Sequence, residues 1–569
     1  MSPGPYKGED SVGYDLKITG GTVVDGTRRP RFVGDVGIKD GKVVALGSAP
    51  EEAARTIDAR GKVVSPGFVD IHTHYDAQIV WDQLVSCSPW HGVTTVVMGN
   101  CGFSVAPTRP THRDLIMRTL ENVEGMSVTA LRAGLGADWP FETFPQYLDA
   151  IDSLGCAVNV GALIGHTALR LYVMGEEAVQ RAATPDEIAR QRAIAKEALE
   201  AGALGFATSK AITHVGYDGH PVPSRLAEFG EVMEIAGAMG ELGTGVMQCT
   251  VGRGLSQKEF ALLAEATGRP VSWTALLSGQ PNQDFHDELR KAADLAARGL
   301  PVYPQVAVQP VQFEMSWKAP FIYEALRCFA PVSKADIEGK KAVYADPEWR
   351  EQFKEKAGRG GKIGDRWGRT EISYYPHDTS LEGQNVQELA DGSGRDPVDV
   401  VLDLALDADL EMRILQDVIN YDRDSIEELL KDPNTMIGLS DAGAHASQLC
   451  DAKYSTEFLA TFVRERKSFE LEDAIHMLTQ RPARIFGITD RGTLEDGKPA
   501  DVVVFDPAEV GHLGKRRVYD LPGGADRLIS EAKGINAVVV NGTVIREEGK
   551  DTVSPGGPLP GRLLRNGKG

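Results

Sequence analysis

The sequence is poor in cysteine and has no long apolar run. Its six cysteines are scattered over 569 residues without Cys-x-x-Cys spacing, which argues against a disulfide framework. No apolar stretch reaches the roughly 18 residues that a membrane-spanning helix requires. Residues 1–15 also lack the basic start and apolar core of a signal peptide. These absences predict a cytoplasmic protein with no membrane partner.

Positive charge is also scarce. The formal net charge is -20 at pH 7, which disfavours nucleic acid and anionic membranes, because both bind clustered Lys and Arg. Apolar residues make up 42% of the chain and charged residues 25%, a composition typical of a globular fold. A small molecule is therefore the expected partner.

Both ends of the chain alternate short apolar runs with turn residues. An Asp-Gly pair in residues 14–64 and an Asn-Gly pair in residues 495–548 fall where hairpin turns are expected. We predict a small composite β-sandwich formed by both termini. Residues 1–64 would form its first half, and residues 491–569, with an extended Pro- and Gly-rich tail, its second.

Between these β units, in residues 65–490, strand-like apolar runs alternate with helix-like segments. That pattern is typical of repeated βα units and a parallel sheet. We predict an α/β fold with a (β/α)8 TIM-type barrel, in which active-site residues lie at the C-terminal ends of the strands. The eight predicted strands are residues 63–72, 94–99, 157–165, 203–208, 244–250, 270–277, 301–308 and 435–440.

The spacing of these units breaks down once, at about residues 310–415. This stretch is far longer than a single helix and contains the charged, Gly-containing run FKEKAGRGGKIGDRWGRTE. Long excursions from the top of a barrel are commonly functional, so we predict an inserted lid or subdomain. A surface elaboration without a catalytic part is the alternative.

The run SPGFVDIHTHYDAQ ends an apolar strand in two histidines. Side chains two apart on a strand point to the same face, so His72 and His74 would project together, backed by Asp70. A single buried histidine is more often a hydrogen-bonded structural residue, but a pair at this spacing favours a metal site.

A second candidate lies in TMIGLSDAGAH, where the eighth predicted strand ends in Asp441 and His445 follows. The last strand of a closed barrel neighbours the first, so Asp441 would complete the site of His72 and His74. It would bind the metal and accept a proton from its water. The alternative is that Asp441 caps the next helix.

Four further residues follow predicted strands, and each has an ordinary structural alternative. Cys101 follows the second strand, where a thiolate would reach a metal at the barrel mouth, although free cysteines are commonly small core residues. His166 ends the third strand, where the roles of metal ligand, substrate hydrogen-bond donor and structural histidine are all open and the substrate role is slightly favoured. Lys210 and His214 follow the fourth strand, where the lysine would bind a substrate carboxylate or bridge metals if carboxylated.

These motifs resemble those of the amidohydrolase superfamily, in GFVDIHTH, GLSDAGAH and MLTQRPARIFGITDRGTLEDGKPADVVVFDP. HYDAQ, HGVTTVVMGNCGFS and GHTALR narrow the resemblance to the D-aminoacylase, or N-acyl-D-amino-acid deacylase, branch. The similarity runs from about residue 14 to residue 548, without much of residues 310–415. It implies a metal-dependent barrel with a small composite β-sandwich, and hydrolysis of an amide by metal-activated water.

The resemblance also implies roles for individual residues. His72, His74 and Asp441 match the first metal site of the family, and Cys101 matches its cysteine ligand. Asp441 would also be the proton shuttle. His166 matches a histidine of the pocket.

The chain departs from the family pattern where the second metal is expected. The fifth and sixth strands end in histidines in the family, but here they read GVMQCTVG and PVSWTALL. Trp273 in this position predicts an altered, more apolar substrate pocket. One ion, with Zn²⁺ as the first choice, is favoured over two, because a single Lewis acid both activates water and polarises a carbonyl. The alternative is that the insert supplies ligands, with His377 available.

The predicted function is a metal-dependent hydrolase that cleaves the C–N amide bond of an N-acyl amino acid or related small amide. His166, Lys210, His214, Trp273 and His445 are its predicted substrate-binding residues. A cyclic amide or lactone hydrolase is the alternative within enzymes, because the same activated water opens rings. A non-catalytic, amidohydrolase-like ligand-binding protein is the alternative outside them. By analogy with other barrels, a homo-oligomer is expected.

Overall fold

The computed structural model describes residues 13–280, 283–324, 326–360 and 364–569. Residues 1–12, which include most of the N-terminal stretch that lacks signal-peptide features, lie outside the described residues. Residues 361–363, in the Gly-containing run of the insert, also lie outside them. None of the helices in the described ranges is both long enough and apolar enough to cross a membrane.

The strands of the described residues are two to eleven residues long. Their bounds are β1 Tyr14–Val23, β2 Phe32–Lys39, β3 Lys42–Gly47, β4 Ala53–Asp58, β5 Val63–Pro66, β6 Phe68–Asp70, β7 Val93–Met98, β8 Asn159–Gly165, β9 Gly205–Ser209, β10 Val246–Thr250, β11 Val271–Thr274, β12 Val302–Val306, β13 Val311–Ser316, β14 Thr370–Tyr374, β15 Arg413–Ile419, β16 Met436–Ile437, β17 Val502–Phe505, β18 Gly511–Leu521, β19 Ala525–Lys533, β20 Ile535–Val540, β21 Thr543–Glu547 and β22 Lys550–Asp551.

The α-helices alternate with the strands through the middle of the chain. Their bounds are α1 Arg113–Glu124, α2 Val128–Leu135, α3 Phe144–Leu154, α4 His166–Met174, α5 Pro185–Glu200, α6 Phe229–Leu242, α7 Gln257–Thr267, α8 Phe285–Ala297, α9 Ala330–Lys334, α10 Ile337–Ala345, α11 Pro347–Ala357, α12 Val386–Ser393, α13 Pro397–Asp407, α14 Arg423–Lys431, α15 Tyr454–Phe458, α16 Leu471–Leu478 and α17 Gln480–Ile485. Short 3₁₀ helices lie at Gln78–Val80, Ser88–His91, Asn100–Gly102, Pro110–His112, Gly175–Val179, Tyr217–Gly219, Pro223–Leu226, Arg327–Phe329, Gly364–Arg369, Thr379–Leu381 and Pro522–Gly524, and a π-helix lies at Leu459–Glu465.

Eight parallel strands form a curled sheet in the order β6, β7, β8, β9, β10, β11, β12, β16. Strands such as β7 are buried on both faces, which explains their continuous apolar sequences. A parallel bridge between Thr73 and Ala442 joins the two edges of the sheet. The predicted α/β barrel fold is confirmed, and each of the eight predicted strands overlaps one barrel strand.

The first predicted strand, residues 63–72, is in fact two strands. The break falls at Gly67, where a Cβ atom would lie 2.0 Å from the hydroxyl of Thr94. Only glycine permits this close approach. The run Val63–Pro66 therefore joins a different sheet from Phe68–Asp70, which begins the barrel.

A nine-stranded sheet contains strands from both ends of the chain. Its path is β22, β21, β20, β17, β5, β1, β2, β3, and β4 pairs with β1. The pairing of β5 with β17 brings residues about 440 positions apart into one ladder. The domain boundaries that we derived from the sequence remain predictions.

The long excursion between β12 and β16 forms its own three-stranded sheet, in the order β13, β15, β14, covered by helices α9 to α13. Its core is strongly aromatic, with Trp317 stacked on Tyr323 at 5.7 Å between ring centroids. The first strand of the excursion faces the barrel: the ring of Phe313 packs edge-on against His445, with centroids 5.8 Å apart.

The C-terminal tail, after β22, contains no helix in the described residues and returns to the barrel. Gly561 bridges to Cys156 and Leu563 bridges to Val160, near the start of β8. Leu564 is fully buried, so apolar contacts hold the end of the tail.

A buried polar cluster links the barrel to the composite sheet. Asn159, at the start of β8, donates to Asp501 at 2.8 Å, and Asn541 donates to Asn159 at the same distance. Arg491 lies 3.1 Å from the same Asp501 carboxylate and donates to Asn541. All but Asn541 are almost fully buried, so each depends on the others for its hydrogen bonds.

We expect Arg491→Met to lower the free energy of unfolding by about 3–5 kcal/mol, because the Asp501 carboxylate would lose its buried cationic partner. Arg55→Met, which removes an exposed ion pair with Glu547, should cost less than about 1 kcal/mol. Urea denaturation followed by tryptophan fluorescence measures both. Equal effects of the two substitutions would contradict a linking role for the cluster.

Candidate metal centre

Potential metal ligands meet where three barrel strands end. His72 and His74 follow β6, Cys101 follows β7 and Asp441 follows β16. The donor atoms of the two histidines and the cysteine all lie within 4.8 Å of one another, and all three residues are buried. The strand ends of one barrel face thus gather donors that are far apart in sequence.

Asp441 completes the cluster. Its Oδ1 lies 3.1 Å from His72 Nε2 and 3.7 Å from His74 Nε2. The Cys101 Sγ lies 3.5 Å from the same His72 nitrogen. Two imidazole nitrogens, a thiolate and a carboxylate are the donor types that zinc takes in proteins, so the residues present fit a divalent transition metal.

A neighbouring amide fixes the orientation of His72. The Gln305 side chain donates through Nε2 to Ser272 Oγ at 2.8 Å, so its oxygen faces His72 Nδ1, also at 2.8 Å. His72 Nδ1 must therefore carry the proton that Gln305 accepts. Nε2, the atom next to Cys101 and Asp441, is then the ring nitrogen that would bind a metal.

A carboxylate holds His74 in a similar way. Glu124, the last residue of α1, places Oε1 3.0 Å from His74 Nδ1, and both side chains are buried. Such carboxylate–histidine pairs orient metal ligands and raise their basicity. Sequence reasoning missed both Gln305 and Glu124. The position of Gln305 near the end of β12 was a usable signal, whereas nothing in the sequence of α1 distinguishes Glu124.

The four donors perturb one another electrostatically. Burial disfavours a charged His72, but the anions of Cys101 and Asp441 outweigh it and raise the pKa of His72 to about 10. Burial likewise opposes ionisation of Cys101, but the neighbouring His72 and His74 lower the pKa of its thiol to about 7. The same two histidines overcome burial to hold the pKa of Asp441 well below its usual range. The cluster thus favours the anionic forms of its sulfur and oxygen donors.

The backbone is unusual around this cluster. Cys101, Leu439, Asp441 and His445 all have positive φ angles, between 44° and 59°. Non-glycine residues rarely adopt this conformation, and such residues concentrate at functional sites. The strained loops aim the side chains of Cys101 and Asp441 at the same point.

A cavity of about 150 Å³ opens over the donors. Predicted substrate-binding residues His214 and His445 line it, together with the two threonines that end β10 and β11. The lining residues are His72, His74, Cys101, Phe103, Val123, Glu124, His214, Thr250, Thr274, Ala275, Leu439, Asp441, Ala444 and His445.

His214 is a buried imidazole in the wall of this cavity. Its Nδ1 lies 2.6 Å from Ser209 Oγ, and its ring packs against Phe103 with centroids 5.0 Å apart. Burial, with help from the positive charges of His445 and His74, lowers the pKa of His214 to about 3. The ring is therefore neutral at physiological pH and is available as a hydrogen-bonding group.

The structure places His166 and Lys210 away from the cavity. His166 lies 3.1 Å from Glu231, a carboxylate that also pairs with Arg170. The Lys210 ammonium donates to the backbone carbonyl of Arg225 at 3.0 Å, and burial lowers its pKa to about 8. Both side chains hold neighbouring segments of the barrel wall together.

Trp273 also fails to reach the cavity. Alternate side chains of a strand point to opposite faces, and Thr274 lines the cavity, so Trp273 points outward and stacks on Phe260 of α7 at 5.8 Å. His377 lies in the insert, 3.1 Å from the carbonyl of Asp407, and does not line the cavity. Within the described part of the chain, the threonines of β10 and β11 occupy the positions where histidines for a second metal were expected.

Comparisons with known proteins agree with this architecture. The sequence profile of the amidohydrolase family matches residues 55–546. A D-aminoacylase of Alcaligenes xylosoxydans xylosoxydans is 29% identical, with 98% of both chains covered. The structure of an N-acyl-D-glutamate deacylase from Bordetella bronchiseptica superimposes on this chain with a TM-score of 0.65 at 27% identity, covering 97% of this chain and 99% of the other. That structure contains zinc and a phosphonate inhibitor that mimics the tetrahedral intermediate of the reaction. A D-aminoacylase structure gives the same TM-score at 26% identity and with the same coverage. That enzyme has a binuclear metal centre and is described as activated by one metal and attenuated by a second.

We expect the purified protein to carry about one divalent ion per chain, because the described residues offer one group of converging ligands. A His72→Ala/His74→Ala double variant should lose that ion, because two of four donors are removed. Elemental mass spectrometry measures the content, with a His286→Ala/His377→Ala variant of two exposed histidines as the control. Two ions per chain, or an unchanged content in the first variant, would contradict this site.

Proposed function

Because the chain belongs to the amidohydrolase family, we propose that it hydrolyses the amide bond of an N-acyl amino acid with the help of one divalent metal ion. The observation that carries the proposal is the convergence of His72, His74, Cys101 and Asp441 beneath a cavity. These four side chains would hold the ion, and zinc is the first choice because the donor set suits it.

The relatives support this choice of reaction. The similar proteins are named as deacylases of N-acyl-D-amino acids, and one was solved with zinc and a mimic of the tetrahedral intermediate of the reaction. A related D-aminoacylase is described as activated by one metal and attenuated by a second. This chain has threonines where a second metal would need histidines, which favours one ion.

When bound, the ion would supply a Lewis acid that lowers the pKa of a water and polarises a carbonyl. Asp441 would act as the proton carrier. Both of its histidine contacts are made through Oδ1, so Oδ2 is the oxygen available to accept the proton of the attacking water. The carboxylate would then deliver that proton to the leaving amine nitrogen.

His214 would stabilise the negative charge that develops on the substrate carbonyl oxygen. It lines the same cavity as the metal ligands, and its low pKa keeps the ring neutral. With Nδ1 accepting from the Ser209 hydroxyl, Nε2 carries a proton and becomes a donor toward the cavity. A neutral, preorganised hydrogen-bond donor of this kind stabilises an oxyanion without placing a second positive charge beside the metal.

The walls of the cavity would exclude bulk water and contact the substrate. Phe103, Val123, Leu439 and Ala444 provide its apolar surface, and Thr250 and Thr274 provide hydroxyl groups. His445 is held at the rim by Phe313 of the insert. We infer that the insert shapes the entrance for the acyl or amino-acid side chain.

We expect Asp441→Asn to lower kcat by about 10²–10⁴, because the amide cannot accept the proton of water. The fold should persist, and the metal content of the variant must be measured beside its rate, since Asp441 is also a proposed ligand. Asp378→Asn, on the exposed face of the insert, serves as the matched control. Near-full activity of the metal-loaded Asp441→Asn protein would contradict the proposed role.

The substrate class is tested by a panel of N-acyl-D-amino acids, N-acyl-L-amino acids, hydantoins and lactones. We expect the zinc-loaded protein to release free amino acid from the first group at the highest kcat/KM, detected by amine labelling. Preferred opening of hydantoins or lactones would indicate a cyclic amide or lactone hydrolase instead. Tight binding without turnover of any compound would indicate a non-catalytic ligand-binding protein.

A further inference from the structure

Two buried cysteines outside the metal centre lie within reach of one another. The Sγ atoms of Cys87 and Cys450 are 3.9 Å apart, although the residues are separated by 363 positions in sequence. Both are almost fully buried as free thiols. A disulfide requires an S–S distance of about 2.05 Å, so the sulfurs need to approach by only about 1.9 Å.

Both cysteines lie in segments that can make this adjustment. Cys87 lies between the 3₁₀ helices Gln78–Val80 and Ser88–His91, and Cys450 lies in the loop between β16 and α15. Neither is inside a regular strand or helix, so a change in side-chain rotamer and a small loop shift would not break a hydrogen-bonded ladder.

The surroundings of the pair distinguish the two sulfurs. The hydrogen bond between Cys87 and Cys450, together with the positive charges of Lys515 and Lys453, lowers the pKa of Cys450 although burial and the Asp451 carboxylate oppose it. The same hydrogen bond and burial raise the pKa of Cys87 well above its usual value. Lys515 lies 3.2 Å from the carboxylate of Asp451, the residue next to Cys450, so Cys450 is the better placed of the two sulfurs to react as a thiolate, with Cys87 as the resolving thiol.

A small cavity lies against the pair. Its volume is about 30 Å³, and both cysteines line it together with Asp451 and Arg527. A cavity of this size and polarity admits roughly one or two water molecules. Among oxidants, hydrogen peroxide is the chemical class that fits such a space.

We propose that Cys87 and Cys450 form a peroxide-reactive pair whose reversible disulfide ties the segment that follows His74 to the segment that follows Asp441. The Cys450 thiolate attacks one peroxide oxygen, the O–O bond breaks, and the released hydroxide takes a proton to form water. The Cys87 sulfur then attacks the Cys450 sulfenic acid, forming the S–S bond as the S–O bond breaks. The Cys87 proton leaves with that oxygen as a second water, so two thiols and one peroxide give one disulfide and two waters.

Disulfide formation is measured on the full-length, zinc-loaded protein. The protein is exposed to a series of hydrogen peroxide concentrations, unfolded in acid, alkylated with N-ethylmaleimide and digested without reductant. Mass spectrometry should show a cross-linked peptide containing Cys87 and Cys450, with a loss of alkylation at both positions. Dithiothreitol should restore both alkylation sites, and Cys249, a buried cysteine without a thiol neighbour, should stay alkylated throughout.

Variants test the separate roles of the two cysteines. Cys87→Ser should leave a Cys450 sulfenic acid that dimedone traps, because the resolving thiol is gone. Cys450→Ser should leave Cys87 unoxidised at the same peroxide concentration. Equal oxidation of the single cysteine in both variants would overturn the assignment of nucleophile and resolving thiol.

The role of the positive charge is tested by the rate of cross-linking. Lys515→Gln should slow it by about threefold to tenfold, because the thiolate population of Cys450 falls. Lys533→Gln, on the neighbouring strand of the same hairpin, is the control. If Lys515→Gln unfolds the protein, Lys453→Gln replaces it.

Peroxide treatment of the wild-type protein tests the proposal independently of the variants. If peroxide converts surface methionines to sulfoxides while Cys87 and Cys450 remain fully alkylated and unlinked, the proposal is overturned. The readout is a covalent bond, so it does not depend on whether the protein hydrolyses amides.

Discussion

The candidate metal centre depends on a short backbone contact that joins the first and last strands of the barrel. The His74 N–H donates to the Ala442 carbonyl at 2.8 Å, and the Ser440 hydroxyl donates to the His72 carbonyl at the same distance. Asp441 lies between the two residues that make these bonds. Main-chain geometry therefore holds its carboxylate beside the two imidazoles, and any slip of one strand edge against the other would separate the ligands.

Concentrating ionisable side chains in a buried cavity is unfavourable unless each has a defined partner. In this protein the partners are arranged in two layers. The donors contact one another across the site, while Gln305 and Glu124 contact the outer nitrogens of the histidines. The outer layer thus orients both rings so that their Nε2 atoms face the candidate metal position.

Much of this architecture could be predicted from the sequence. The barrel strands are buried on both faces, so they appear as continuous apolar runs, and the residues His72, His74 and Asp441 stand directly after such runs. The same continuity concealed the break at Gly67, because apolar residues on either side of it serve two different sheets. The orientation of Trp273 was not predictable, because a shift of one residue in a short strand reverses which face a side chain occupies.

The residues of the outer layer were not predictable for a different reason. A neutral amide on a strand and a carboxylate at the end of a helix occur in many proteins without a ligand nearby. Their roles arise only from which donor atom faces which nitrogen, and that depends on tertiary packing. Sequence patterns thus predicted the candidate metal ligands and left their orientation undetermined.

The ladder between β5 and β17 has a consequence for synthesis of the protein. About 440 residues separate these strands, so at roughly 5–20 residues per second the ribosome adds the missing partner roughly 20–90 s after β5. During that time one edge of β5 has no partner, and exposed edges of this kind promote association with other chains. The early strands β1, β2 and β3 are contiguous antiparallel neighbours, so they can pair at once, long before β17 is made.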